Sequence, residues 1–234
     1  MSDQARAEIL AAIRGALGAD ISAGARNDAA RQAAPSVPAP TSEGLAPLLE
    51  RFCDRVRDYG AGASRVGRDE VGRTVGEIAS RHGARRLVVP AGLQPRWRAA
   101  QLELVDDDER LGPRELERFD GALTAAALAI AETGTLVLDG GPDQGRRALT
   151  LLPDLHVCVV DAARVVADVP DAIAALEPAL REHRRPVTFI SGPSATADIE
   201  LRRVQGVHGP RHLEVIVAED SMTPSDRAHA GVRI

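Results

Sequence analysis

The chain has 234 residues, of which 44% are hydrophobic and 27% charged, and its 29 basic residues against 34 acidic ones give a net charge of −5. These are globular proportions, sufficient for one compact domain with a proper core, and they exclude wholesale disorder or a fibre. Every basic residue is Arg and only Phe52, Phe119, Phe189, Tyr59 and Trp97 are aromatic, which excludes Schiff-base and P-loop lysine chemistry and argues against a nucleic-acid groove.

In chain order, Ile9, Ile13 and Leu17 with Leu10 predict a short amphipathic helix, giving an N-terminal segment over 1–21. Residues 22–44 are rich in Ala, Pro, Ser and Thr and read as an exposed linker. Leu45, Leu48, Leu49, Phe52, Val56 and Tyr59 predict the first core helix, ending at Gly60. A second helix is expected from Asp69 to Gly83, followed by a strand at RLVVP, 86–90. LELV at 102–105 leads into the acidic run 106–108, read as a solvated strand end, and Pro113 opens a short helix. TLVLD (135–139), HVCVV (156–160), VTFI (187–190) and LEVIVAE (213–219) read as strands, with helices near 146–151 and 172–183 and a frayed tail at 221–234. Short apolar strands alternating with helices imply an α/β fold, a three-layer α/β/α sandwich with a mostly parallel sheet.

Cys53 and Cys158 are too few for the four ligands of an iron–sulfur cluster or structural zinc, and they read as buried small hydrophobes in a reducing cytoplasm. No run approaches a membrane span, and the charged N-terminus lacks the unbroken apolar stretch of a signal peptide. No metal site is expected.

Ligand crevices of open parallel sheets lie at the carboxyl ends of strands, which directs attention to three loops. In DGGPDQGRR, Gly140, Gly141 and Gly145 permit close backbone approach while Arg146 and Arg147 open a helix, so the loop either holds an anion or merely turns the chain. In SGPSATADIE, Ser191, Gly192, Ser194 and Thr196 offer hydroxyls and backbone N–H groups to an anion, or cap the backbone. In AETGT, Glu132 is a candidate general base or acyl nucleophile if buried, and otherwise ties neighbouring Thr or Arg residues in place. The segment VHGPRH adds His208 and Arg211 as possible crevice lining, with a tight turn at Gly209 and Pro210 that disfavours a helical His pair. A nucleophile elbow is absent, so a serine hydrolase is not expected.

Two long segments, AETGTLVLDGGPDQGRRALTLLPDLHVCVV at 131–160 and FISGPSATADIELRRVQGVHGPRHLEVIV at 189–217, resemble the lactate-utilisation protein C family. The resemblance covers a LUD domain over 45–220 and implies a fold similar to the ribose-5-phosphate isomerase, glucosamine-phosphate deaminase and CoA-transferase group. It further implies a cytoplasmic role in oxidising L-lactate to pyruvate beside two partners, one Cys-rich and one ferredoxin-like. The iron–sulfur clusters would then reside in those subunits, and this chain would bind no cofactor of its own. In CoA-transferases of the wider group a Glu-X-Gly glutamate attacks the thioester, and Glu132-Thr133-Gly134 matches that pattern superficially. The expected role is therefore a non-redox subunit of a lactate-oxidising complex. The alternative is a free-standing enzyme or binding protein for a phosphorylated sugar or a CoA thioester.

Overall fold

The computed structural model describes residues 44–107, 111–183, 186–197, 203–205 and 209–220, together with Gln4. The expected N-terminal helix, the linker before Gly44, the 221–234 tail and His208 lie outside the described residues. Among the described residues four helices, α1 (Leu45–Asp58), α2 (Val71–Arg81), α3 (Pro113–Leu116) and α4 (Val169–His183), accompany twelve strands. The strands are β1 (Gly62–Gly67), β2 (Arg86–Val89), β3 (Glu103–Asp106), β4 (Gly121–Ala125), β5 (Leu128–Ile130), β6 (Thr135–Leu138), β7 (Leu155–Asp161), β8 (Val165–Val166), β9 (Thr188–Ile190), β10 (Ala195–Ala197), β11 (Arg203–Gln205) and β12 (His212–Glu219).

Six strands form the main sheet in the order β1-β12-β7-β4-β2-β3, and every pairing in it is parallel. The two-residue period of β7 and β12 divides their side chains between the faces. Leu155, Val157 and Val159 of β7, with Ile216 and Ala218 of β12, meet Val71, Val75 and Ile78 of α2 and the buried Trp97. On the opposite face Cys158 and Val160, with Leu213, Val215 and Val217, meet Leu48, Leu49, Phe52, Cys53 and Val56 of α1. Both helices exist because their apolar residues recur at three and four and fill these faces; burying each Leu or Phe contributes about 2 kcal/mol.

The α/β class and the mostly parallel sheet agree with the sequence reading, but TLVLD and VTFI do not join that sheet. They are β6 and β9 of a second, four-stranded sheet ordered β8-β5-β6-β9, in which β6 is antiparallel to both neighbours. Its inner face, carrying Ala129, Leu136 and Leu138, joins the α1 core, while Leu128, Ile130 and Val137 on its outer face are covered by Ala172, Ala175 and Leu176 of α4. One side of the sandwich thus contains an extra β layer. The acidic run also differs from expectation. Asp106 is exposed, but the side chain of Asp107 is only 4% exposed because Arg146 encloses it.

Candidate functional site

For the segment after β6 the sequence leaves open an anion site or a mere turn of the chain, and the structure shows where its backbone N–H groups go. The Gln144 side-chain oxygen accepts from the N–H groups of Asp139 at 2.7 Å and Gly140 at 3.1 Å, and the Asp139 carboxylate accepts from Gly141 at 3.1 Å. Asp139 and Gln144 are both buried. The loop also binds the carboxyl ends of the main sheet, since the Asp143 carbonyl accepts from the N–H of Ala125 and the Pro142 carbonyl from that of Gly92. Burial pushes the Asp143 carboxyl above its ordinary range. Gly140, Gly141 and Gly145 therefore belong to a loop closed by its own side chains.

Arg146 and Arg147 diverge from the end of this loop. Arg146 makes a two-pronged ion pair with Asp107, at 2.8 and 2.7 Å, and donates to the Leu111 carbonyl at 2.6 Å, clamping the segment after β3 to the segment before β7. The expected helix is a four-residue 3-10 turn, Arg147–Thr150, too short to carry an appreciable dipole. Arg147 donates to the Thr150 hydroxyl and, at 3.3 Å, to the Thr150 carbonyl. Among the described residues no carboxylate pairs with it, and partial desolvation lowers its pKa from the ordinary guanidinium range.

Arg147 borders a pocket of about 210 Å³, to which Thr150, Leu151 and His156 contribute from one side and Phe189 to Ser194, Pro210 and Leu213 from the other. Ser191, Gly192, Ser194 and Arg147 are thereby brought together. The location differs from expectation: His156 and Leu213 are the second residues of β7 and β12, so the pocket opens at the amino ends of the main-sheet strands. It does follow the carboxyl end of β9. That strand reverses direction relative to β6, which carries its polar exit loop to this end.

Two close approaches shape the rim. Gly192 has φ +87°, and a Cβ there would lie 2.7 Å from Cβ of Tyr59, so only glycine lets the loop pack on the end of α1. Gly209, at φ +140°, brings its chain against Ser194, whose N–H donates to the Pro210 carbonyl at 2.9 Å. The Ser191 hydroxyl shares a 2.8 Å hydrogen bond with the Thr135 hydroxyl, fastening the rim to β6.

The floor is His156, 1% exposed, which the sequence reading missed. Its Nε2 shares a 2.8 Å hydrogen bond with the Thr124 hydroxyl, which itself donates to Cys158 Sγ at 3.8 Å. Which of the two groups, ring or hydroxyl, donates in the bond between them is set by the tautomer of the ring. Burial, reinforced by the Arg147 charge, pushes His156 down to about 3, so the ring is neutral near pH 7. The only signal in the sequence was a single polar side chain opening an apolar strand, which describes many core histidines equally well.

Glu132 is exposed in the turn between β5 and β6, its N–H bonded to the Ala167 carbonyl, and it does not line the pocket. The burial that would fit it for base or nucleophile chemistry is absent. Arg211 is also exposed and lies 3.6 Å from the exposed Asp154 carboxylate, outside the pocket lining. Thr196 belongs to β10, paired with β11.

Burial pushes the thiol of Cys53 up to about 11 and that of Cys158 up to about 12, which makes both inert. They do not fit an iron–sulfur cluster. Among the described residues no group of three or more His, Cys, Asp or Glu side chains could hold a metal, and no helix is long and apolar enough to cross a membrane.

Similarity to known proteins extends over this whole framework. The chain is 46% identical over 187 residues to a protein of Deinococcus radiodurans named Lactate utilization protein C, covering 80% of this chain and 86% of that one. It is 29% identical over 192 residues to a protein of the same name from Halalkalibacterium halodurans, covering 77% and 81%. A crystal structure of a DUF162 family protein from Deinococcus radiodurans superposes with a TM-score of 0.65 at 39% identity, covering 75% of this chain and 98% of that one. The LUD domain profile matches residues 49–218, from α1 to β12 and so including every described residue that lines the pocket, and the chain therefore belongs to the LUD domain family.

Proposed function

We propose that this chain is a non-redox subunit of a cytoplasmic iron–sulfur complex that oxidises L-lactate to pyruvate and so allows lactate to serve as a carbon source. The observation that carries this reading is the 46% identity, over 80% of the chain, to a protein named for lactate utilization. The non-redox assignment is supported by the thiol inventory: two cysteines, both buried, fall short of the four ligands a cluster takes. Oxidation of lactate releases two electrons and two protons, and the electrons would pass to clusters in a Cys-rich and a ferredoxin-like partner. This chain would bind and orient the acid and complete the assembly.

The reading of a separate enzyme for a phosphorylated sugar or CoA thioester loses two of its three supports. The 139–146 loop is closed by Gln144 and Asp139, and Glu132 is exposed. The decisive experiment is lactate-dependent dye reduction by the two iron–sulfur partners, purified anaerobically, with and without an equal amount of this chain. Activity is expected only when the chain is present. Equal lactate oxidation by the partners alone would overturn the proposal.

A further inference from the structure

The pocket beneath Ser191 and Ser194 has a chemical character that narrows its ligand. Among the described residues Arg147 brings one positive charge with no carboxylate partner, and none of them adds a second cation to the pocket lining. One unit of uncompensated charge matches a monoanion better than a phosphate dianion, and a planar guanidinium matches a carboxylate fork. The Ser191 and Ser194 hydroxyls can add donors to the same oxygens. Leu151, Phe189, Ile190 and Leu213 supply apolar walls for a short alkyl group. At about 210 Å³ the cavity lies below the range of pockets for drug-sized ligands, which begins at ~300 Å³. A nucleotide-bearing thioester does not fit inside it.

His156 adds the discriminating feature. It lines the pocket, and with the ring proton on Nε2 toward Thr124 its Nδ1 is an acceptor, which calls for a hydroxyl proton that a keto oxygen cannot supply. We propose that His156 carries its proton on Nε2 and that this pocket binds a short 2-hydroxy monocarboxylate, its carboxylate on Arg147 with the Ser191 and Ser194 hydroxyls and its 2-hydroxyl donating to Nδ1 of His156. The class of ligand follows from the pocket; its identity as L-lactate rests on the proposed role in lactate oxidation. In this arrangement His156 is a positioning and specificity residue, since a ring so reluctant to take a proton selects the alcohol over the keto acid without serving as a strong base.

The test is calorimetric titration of the full chain with L-lactate, pyruvate and inorganic phosphate at millimolar concentrations. L-Lactate is expected to bind more tightly than pyruvate or phosphate. Arg147→Gln should weaken lactate binding by roughly tenfold or more and Ser194→Ala by roughly threefold, while Arg118→Gln, the same charge change on an exposed residue outside the pocket, leaves it unaltered. His156→Phe should abolish the preference for lactate over pyruvate; Ser194→Ala keeps the test available if either larger change impairs folding. No binding of either acid, phosphate binding as tight as lactate, or full affinity in Arg147→Gln would overturn the assignment. The dye-reduction assay separates the two proposals. A chain required for lactate oxidation that binds no lactate defeats the pocket assignment alone, whereas pocket binding in a chain that the partners do not require defeats the complex alone.

Discussion

The loops at 139–146 and 191–194 are built from similar small and polar residues and each follows a strand of the same small sheet, yet one is closed and the other open. In the first, a glutamine and an aspartate consume the backbone N–H groups, and Arg146 is spent on Asp107. In the second, two serines face a cavity across from a guanidinium that has no carboxylate partner among the described residues. The difference shows that a glycine-rich loop is an anion site only if its donors are left over after local folding. Residue composition cannot reveal that surplus, but the hydrogen-bond partners can.

If this contrast is correct, changes in the closed loop should cost stability and changes in the open one should cost binding. The largest effect is expected for Arg146→Ala, which leaves the enclosed Asp107 carboxylate unpaired. Urea denaturation should show a loss of about 3 kcal/mol, the low end for a broken buried pair because Arg146 is itself 30% exposed. Stability equal to that of the parent chain would break the picture of a clamp. Gln144→Ala removes one acceptor from two N–H groups in a buried loop and should cost about 2 kcal/mol in the same measurement, with lactate affinity unchanged.

The pocket floor should declare itself through pH. His156 titrates at its ordinary 6.5 in the unfolded chain and near about 3 in the fold, so the unfolded state binds the extra proton between those values. Its contribution is complete above pH 6.5 and is lost as pH falls toward 3, at about 1.4 kcal/mol per pH unit. Urea midpoints from pH 7 to 5 should therefore fall less steeply in His156→Gln than in the parent chain, and identical slopes would contradict a neutral buried ring. The smallest effects belong to the open side. Arg147→Gln and Ser194→Ala should each remain within about 0.5 kcal/mol of parental stability, and a larger loss by thermal melting would mean that these residues hold the fold together.

The sequence made α1, α2, β2, β7 and β12 legible because each buries an uninterrupted or helically spaced apolar set, and β3 through the apolar pair Leu104 and Val105, which is half-buried. It concealed β1, whose residues GASRVG are all half-buried and carry no alternation. It concealed β4 and β5 as well, since their alanines favour a helix intrinsically and became strands through complete burial between other elements. That β6 and β9 form a separate antiparallel layer depends on pairings such as Leu136 with Ile190 and Leu138 with Thr188, far apart in the chain, which no local pattern encodes. At the site, Ser191, Gly192 and Ser194 were legible as a polar exit from a strand. Arg147 could not be told from Arg146 beforehand, because what separates them is Asp107, brought near by the fold from about forty residues away.

The position of β12 also bears on how the protein is made. This last described strand lies between β7 and β1, near the opposite end of the chain from the first strand it pairs with. During translation β1 emerges early and has no sheet to join until residues 212–219 leave the ribosome. The edge of β7 stays open for the same interval, a bare ladder on which another nascent chain could pair. A product released before residue 212 would keep both edges exposed, marking the incomplete chain for chaperones and proteases.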